Sequence, residues 1–433
     1  MDRMDKDGGN HTEPASIGTH ILLAQGCAIS IFLLTRYIMI YTVNEGETVF
    51  SVAKATRVSP TRLIEENGLL RPYDILPGQT LSVTRPERIY TVRGGDTLRS
   101  VCNRFGISPR ALLRANPQLC QDPFLYPGQI LSVHEPTPKA GCLSVWGYAD
   151  GGDAPEAILP ALPYLSSLTL FGYRWEEGKI QGGNPAKKLR EAPCGCPRIV
   201  AGMTVDRHSA SFWQAVRHEP EALCKQIKAR GLGGLTLRPE EPADVAGNDW
   251  ERLREVMLRE GLILAVAIGI SRALRQENLI GSHSYEADGV LLLDDMPEAT
   301  LKTKVEWMRA CTSERDRERT YPPLSSRALE RTVDPQGMVS VRSMPLAEAL
   351  VPARRYRIPL SKHVENGTAF YQYKSRAGRQ ARRHERMFED IGSFKEGLDA
   401  IEQARAGGVC CDAVHTPAAF LYLMGRTFGI YEG

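Results

Sequence analysis

Apolar residues along this chain keep two different rhythms. Between residues 41 and 133 they come in short bursts: a "YTV" run, a polar turn, apolar positions at helical spacing such as Val49, Val52 and Ala53, and a closing "LSV". Spacing of three and four lines one face of a helix, whereas short β-rich runs bounded by turn residues suit strands. The resulting strand-helix-helix-strand pattern occurs twice, with a period of about 50 residues. Tyr41-Thr42-Val43 answers Tyr90-Thr91-Val92, Gly46-Glu47-Thr48 answers Gly95-Asp96-Thr97, and Pro77-Gly78-Gln79 answers Pro127-Gly128-Gln129. Thr48 and Thr97 stand where a helix cap belongs. The runs "VSP" and "ISP" restart a second helix, which ends near Asn67-Gly68 or Asn116-Pro117.

From residue 142 the rhythm changes to longer, non-alternating apolar runs. They lie at 142–149, 165–173, 198–205, 233–239, 262–269, 289–295, 319–324 and 407–414, with helical stretches such as 249–261 and 393–408 between them. Strands apolar on both faces and alternating with helices predict a parallel sheet, and eight of them predict a (β/α)8 TIM-like barrel. Residues 338–390 fit no repeat of that pattern and read as a small α+β insertion. The expected organisation is multidomain: modules at 39–84 and 88–134, a Pro-rich linker at 135–141, and the α/β barrel at 142–433.

The first 38 residues fit none of these units. A polar stretch precedes "IGTHILLAQGCAISIFLL" (17–34), which raises a membrane anchor or signal segment. The polar stretch carries more acid than base, unlike a secretory leader, and Met39 stands directly before the first module. A weakly hydrophobic anchor, a disordered tail and an upstream-translated artefact remain open readings. A net charge of +3 over 433 residues gives no argument for a nucleic-acid partner. The basic run at 376–386 reads as a solvated face or loop, with weak attraction to anionic wall polymers the lesser alternative. Ten scattered cysteines form no dense disulfide framework, and a reducing compartment is the simplest account. Cys194 and Cys196 in "PCGCP" have no second pair at metal-ligand spacing, and Cys410 and Cys411 read as small core residues. Neither a metal nor an organic cofactor is indicated.

The two repeats resemble LysM domains from end to end. The resemblance implies modules that bind N-acetylglucosamine-containing glycans, peptidoglycan or chitin, in a shallow groove between the loop after the first strand and the loop after the second helix. Carried onto this sequence, the groove residues are Gly46, Glu47, Thr48 and Val49 with Asp74, Ile75 and Leu76, then Gly95, Asp96, Thr97 and Leu98 with Phe124, Leu125 and Tyr126. Many of these also serve simply as turn and cap residues. Two weak sites in series gain affinity on a repeating polymer through effective concentration.

LysM pairs followed by such a barrel are similar to spore germination and cortex-lytic proteins whose barrel belongs to glycoside hydrolase family 18. That similarity implies substrate-assisted hydrolysis, in which a glutamic acid after strand four protonates the leaving oxygen and aspartates in the motif D-G-x-x-x-D-x-E orient the substrate acetamide. Here the motif reads Gly233-Gly234-Leu235-Thr236-Leu237-Arg238-Pro239-Glu240. The acid position is kept as Glu240, while Gly233 and Arg238 replace the aspartates. Asp295 falls near the family's tyrosine after strand six, and Asp412 replaces its tryptophan on strand eight.

Arg238 is expected to pair with Glu240 or stack beside it and hold it ionised, against the needs of a general acid. Glu240 and Glu241 with Asp294, Asp295 or Asp412 form the alternative, a rearranged carboxylate pair. Three readings follow: an impaired barrel kept as a glycan-binding protein of the cell wall or spore cortex, a working β-N-acetylglucosaminidase using Glu240, and a coat-assembly protein using its LysM pair for localisation.

Overall fold

Each repeat folds around the features that its sequence duplicates. The computed structural model describes residues 38–431 apart from 70, 72–73, 86–87, 121, 134–140, 183–184, 193–194, 207–208, 241–246, 276–286 and 378–379. The expectations for residues 1–37, for most of the linker, for Cys194 and for Glu241 lie outside the described residues. Among the described residues, no helix is long and apolar enough to cross a membrane.

In the first repeat, Ile38–Thr42 pairs antiparallel with Thr80–Thr84 around helices Val49–Thr56 and Pro60–Glu66. In the second, Ile89–Thr91 pairs with Ile130–Ser132 around Leu98–Phe105 and Pro109–Ala115. The Thr48 hydroxyl accepts from Ser51 N at 3.1 Å and Thr48 N donates to Ser51 Oγ at 2.9 Å; Thr97 and Ser100 repeat both bonds at the same lengths. Such reciprocal caps satisfy amides that the first helical turn leaves unpaired. Pro60 and Pro109 open the second helices, where a missing N–H costs nothing. Asn67 then ties helix to closing strand, donating to Leu63 O at 2.9 Å and Ser82 O at 2.8 Å while accepting from Ser82 N at 2.7 Å. Asn116 does the same with Leu112 and Ser132.

The barrel strands are β1 (Cys142–Ala149), β2 (Ser167–Glu176), β3 (Arg198–Val205), β4 (Gly234–Pro239), β5 (Ile263–Gly269), β6 (Gly289–Leu293), β7 (Thr320–Tyr321) and β8 (Gly408–Asp412). They pair in parallel in the order β7-β6-β5-β4-β3-β2-β1-β8. The ring is nearly closed, the gap between β7 and β8 being bridged at Pro323 and Cys410. There Leu324 N donates to Cys410 O at 2.8 Å, and Cys410 N donates to Pro322 O at 2.9 Å. β7 is shorter than the expected 319–324 because Pro322 and Pro323 have no amide to give to a ladder.

Trp146, Phe171, Val200, Ala265, Leu291, Tyr321 and Cys410 fill the barrel axis. Glycine makes room for the large rings: a Cβ on Gly289 would lie 2.7 Å from Trp146, and one on Gly408 2.4 Å from Tyr321. Between β7 and the helix Ile391–Ala404 stands a five-stranded antiparallel sheet with two short helices, Leu346–Ala349 and Val351–Tyr356. This insertion begins with Arg327–Val333, ahead of residue 338. That strand escaped the hydrophobic pattern because its buried Glu330 is matched by Arg386 at 2.6 Å instead of by apolar neighbours.

Candidate functional site

The C-terminal ends of the strands form the mouth where a barrel of this kind carries its chemistry. Alternate residues of a strand share a face, so Thr236, Arg238 and Glu240 follow one another on the same side of β4. Glu240 N donates to Val205 O at 2.9 Å, extending the β3–β4 ladder by one step beyond Pro239. Thr236 is fully buried and shares a 2.8 Å hydrogen bond with Thr169, which accepts from Trp146 Nε1 at 2.9 Å. The inward seat below Arg238 is therefore Thr236. Gly233, expected to mark the second lost aspartate, precedes the strand and lies against the stem of Arg198.

The expected pairing of Arg238 with Glu240 is not formed. The guanidinium instead lies over the Phe171 ring, 5.9 Å from its centroid, within reach of a cation–π contact. Glu240 is exposed, and among the described residues its carboxylate makes no hydrogen bond or ion pair. The two carboxylates expected to help it are engaged elsewhere. Asp295 accepts from Ser271 N at 2.8 Å and from the Ser271 hydroxyl, at the start of the helix Ile270–Arg275. Asp412 accepts from Val414 N at 3.0 Å and His415 N at 2.9 Å, with its second oxygen 2.9 Å from the His415 ring.

Asp294 is buried. It takes an ion pair from Lys304 at 2.6 Å, both side chains being fully enclosed, and Lys304 also donates to Ser325 Oγ at 3.0 Å. Glu389 joins this group, accepting from Leu301 N at 2.8 Å; burial pushes its carboxyl up to about 7, opposed by the Lys304 charge. Tyr148, at the end of β1, is held well above the ordinary phenol range by burial and by Cys410, Asp412 and Asp294. Glu389 and Lys304 are residues that sequence reasoning missed. A signal was present for Lys304, which occupies the apolar face of its helix with Leu301, Val305 and Met308.

The groove residues of the two modules meet different fates. Val49, Ile75 and Leu76 are buried, so their side chains offer no surface to a glycan, while Gly46 and Thr48 stay exposed and Glu47 and Asp74 half-buried. Glu47 accepts from the Tyr41 hydroxyl at 2.6 Å and Asn44 N at 2.7 Å, and Asp96 likewise holds Tyr90 at 2.6 Å and Arg93 N at 2.8 Å. Both acids thus build their turns. In the second module Gly95 and Thr97 are exposed, Leu98 and Leu125 half-buried, and Phe124 and Tyr126 are 71% and 57% exposed. A cleft of about 730 Å³ opens between the modules, with Arg57, Glu65, Arg85, Ile89 and Ile130 among its walls and none of the expected groove residues.

The LysM domain family matches residues 41–84 and 90–134. This chain carries two LysM domains. Beyond them, the crystal structure of the spore cortex-lytic enzyme SleL of Bacillus cereus is similar with a TM-score of 0.64 and 19% identity, over 92% of this chain and 100% of that one. SleL of Bacillus megaterium QM B1551 is similar with a TM-score of 0.62 and 18% identity, over 91% and 99%. At that identity the likeness shows the fold alone: two small modules followed by a TIM-like barrel. No curated protein matches the chain in sequence.

Proposed function

We propose that this protein binds N-acetylglucosamine-containing glycan of the cell wall, with the spore cortex as its setting, and that its barrel is catalytically impaired. The carrying observation is Arg238, a cation at the inward position next to Glu240, with Asp295 engaged by Ser271 at the start of the helix after β5 and Asp412 by its own turn. Positive charge develops at the sugar ring during glycoside cleavage, so a fixed guanidinium opposes it, and preorganised groups of this kind are commonly worth about 10²- to 10³-fold in rate each. The LysM pair supports glycan binding, and the likeness to spore cortex-lytic enzymes supports the setting.

One observation favours a second reading, hydrolysis with Glu240 as general acid: Arg238 leans on Phe171 and leaves the Glu240 carboxyl unpaired among the described residues. Incubation of the full chain with muropeptides and chitooligosaccharides, beside Glu240→Gln, separates the two. Equal, background-level release by both proteins is expected. Product from the unaltered chain that falls about 100-fold or more in Glu240→Gln establishes the hydrolase instead.

A further inference from the structure

The two LysM domains present matched turns to opposite environments. We infer that the first LysM domain takes no glycan, one wall of its groove being covered by residues 357–362 of the same chain, and that the protein grips its ligand through the second LysM domain alone. This rests on the glycan-binding reading given above.

In the first domain, Leu76 is 1% exposed and belongs to the core of the insertion, with Ala349, Ala353 and Leu360. Leu360 N donates to Pro77 O at 2.8 Å, and the Arg357 guanidinium reaches Ile75 O at 3.4 Å. The approach is so close that a Cβ on Gly78 would come within 2.1 Å of the Leu360 carbonyl oxygen, a backbone atom that cannot swing aside. Just beyond, the Thr80 hydroxyl donates to Asp390 at 2.8 Å and accepts from Gly392 N at 3.0 Å. The wall of the groove formed by Asp74, Ile75 and Leu76 is thus an internal joint.

The second domain differs at the same positions. Phe124, Leu125 and Tyr126 stand where the first has Asp74, Ile75 and Leu76, and a Cβ on Gly128 would meet nothing within 4 Å. Phe124 and Tyr126 are largely exposed, and the Tyr126 hydroxyl donates to Asp122 at 3.0 Å, fixing the ring. A pyranose has apolar C–H faces and a hydroxyl rim, so an exposed phenyl face beside a tyrosine ring with a polar edge fits it. Exposed large apolar side chains grouped on one surface mark a contact site. Even unclamped, the first domain offers no ring at these positions.

The test titrates the full chain calorimetrically with hexa-N-acetylchitohexaose, alone and as Phe124→Ala/Tyr126→Ala, and follows amide hydrogen exchange at Leu360 with and without the sugar. We expect one hexasaccharide per chain, at least a tenfold loss of affinity in the double variant with its circular dichroism unchanged, and slow Leu360 exchange that the sugar does not alter. Two hexasaccharides per chain, full affinity in the double variant, or Leu360 exchange accelerated by the sugar would overturn the inference. A chain that binds no hexasaccharide defeats the glycan-binding reading. In that case the covered wall is judged by Leu360 alone, fast exchange refuting it and slow exchange upholding it.

Discussion

In each LysM domain a threonine caps the first helix, a proline opens the second and an asparagine fastens that helix to the closing strand, yet the faces that meet the barrel share almost nothing. The first domain docks through an acid and its paired arginine: Glu66 is buried, accepts from the hydroxyls of Tyr422 and Thr84, each at 2.6 Å, and pairs with Arg62, which donates to the same Tyr422 hydroxyl at 3.0 Å. The second docks through cations. Arg110 donates to the carbonyls of Leu162, at 3.0 Å, and Leu165, and Arg114 donates to Pro163 O at 3.1 Å. In the aligned helices Glu66 stands opposite Ala115, and Arg110 opposite Thr61. Residues that close a module's own core must agree between copies because the fold fails without them. Residues on the outer face answer only to whatever they touch.

The contrast is sharpest at Glu66. Its replacement in Glu66→Ala removes the carboxylate partner of Arg62 in a largely enclosed site, leaving only the Tyr422 and Thr84 hydroxyls, and urea unfolding of the first LysM domain is expected to weaken by about 3 kcal/mol. Arg110→Ala removes charged hydrogen bonds to carbonyls, and the second domain is expected to lose about 2 kcal/mol by the same measurement. Equal costs would erase the asymmetry between the two attachments. Tyr422→Phe removes only a hydroxyl from the Glu66 cluster and is expected to cost about 1 kcal/mol, read as a small fall in melting temperature.

The pH dependence should divide the domains in the same way. Burial raises the Glu66 carboxyl above its ordinary 4.5, more than the Arg62 charge lowers it. The folded form therefore holds the proton more tightly, so stability from this group is complete below about 4.5 and declines as pH rises through the folded value. Protection factors of the first domain, corrected for intrinsic exchange, are expected to fall over that range while those of the arginine-docked second domain stay level. The barrel adds a slope of its own between 4.5 and about 7 through Glu389, in the same direction. Glu389→Gln removes it and leaves the difference between domains exposed.

All eight barrel strands were legible because buried parallel strands are continuous apolar runs with little else to imitate them. The duplicated modules were legible for a different reason, since capping and turn residues recur at fixed spacing. The docking faces were not. Leu76 reads as one more core leucine, and nothing local says that its core belongs to the insertion more than 250 residues further along the chain. At the mouth, the replacement of the motif's Asp by Arg238 was plain, but its partner was not: Phe171 is no more prominent in sequence than the neighbouring Glu240. Asp295 and Asp412 looked like chemistry because carboxylates at strand ends often are; here both stitch loops, a role set by backbone amides that no pattern of side chains reveals.

The barrel also has a seam. β7 meets β6 through two residue pairs, Val290 with Thr320 and Leu291 with Tyr321, and meets β8 through the Pro323–Cys410 bridge. The hoop is therefore a split ring whose slit lies directly before the insertion, and that same insertion holds the first LysM domain by its turn. Strain applied to the outer module is delivered to the thinnest rib of the hoop, so mechanical extension should part the chain there first, well before the broad β2–β3 ribs give way.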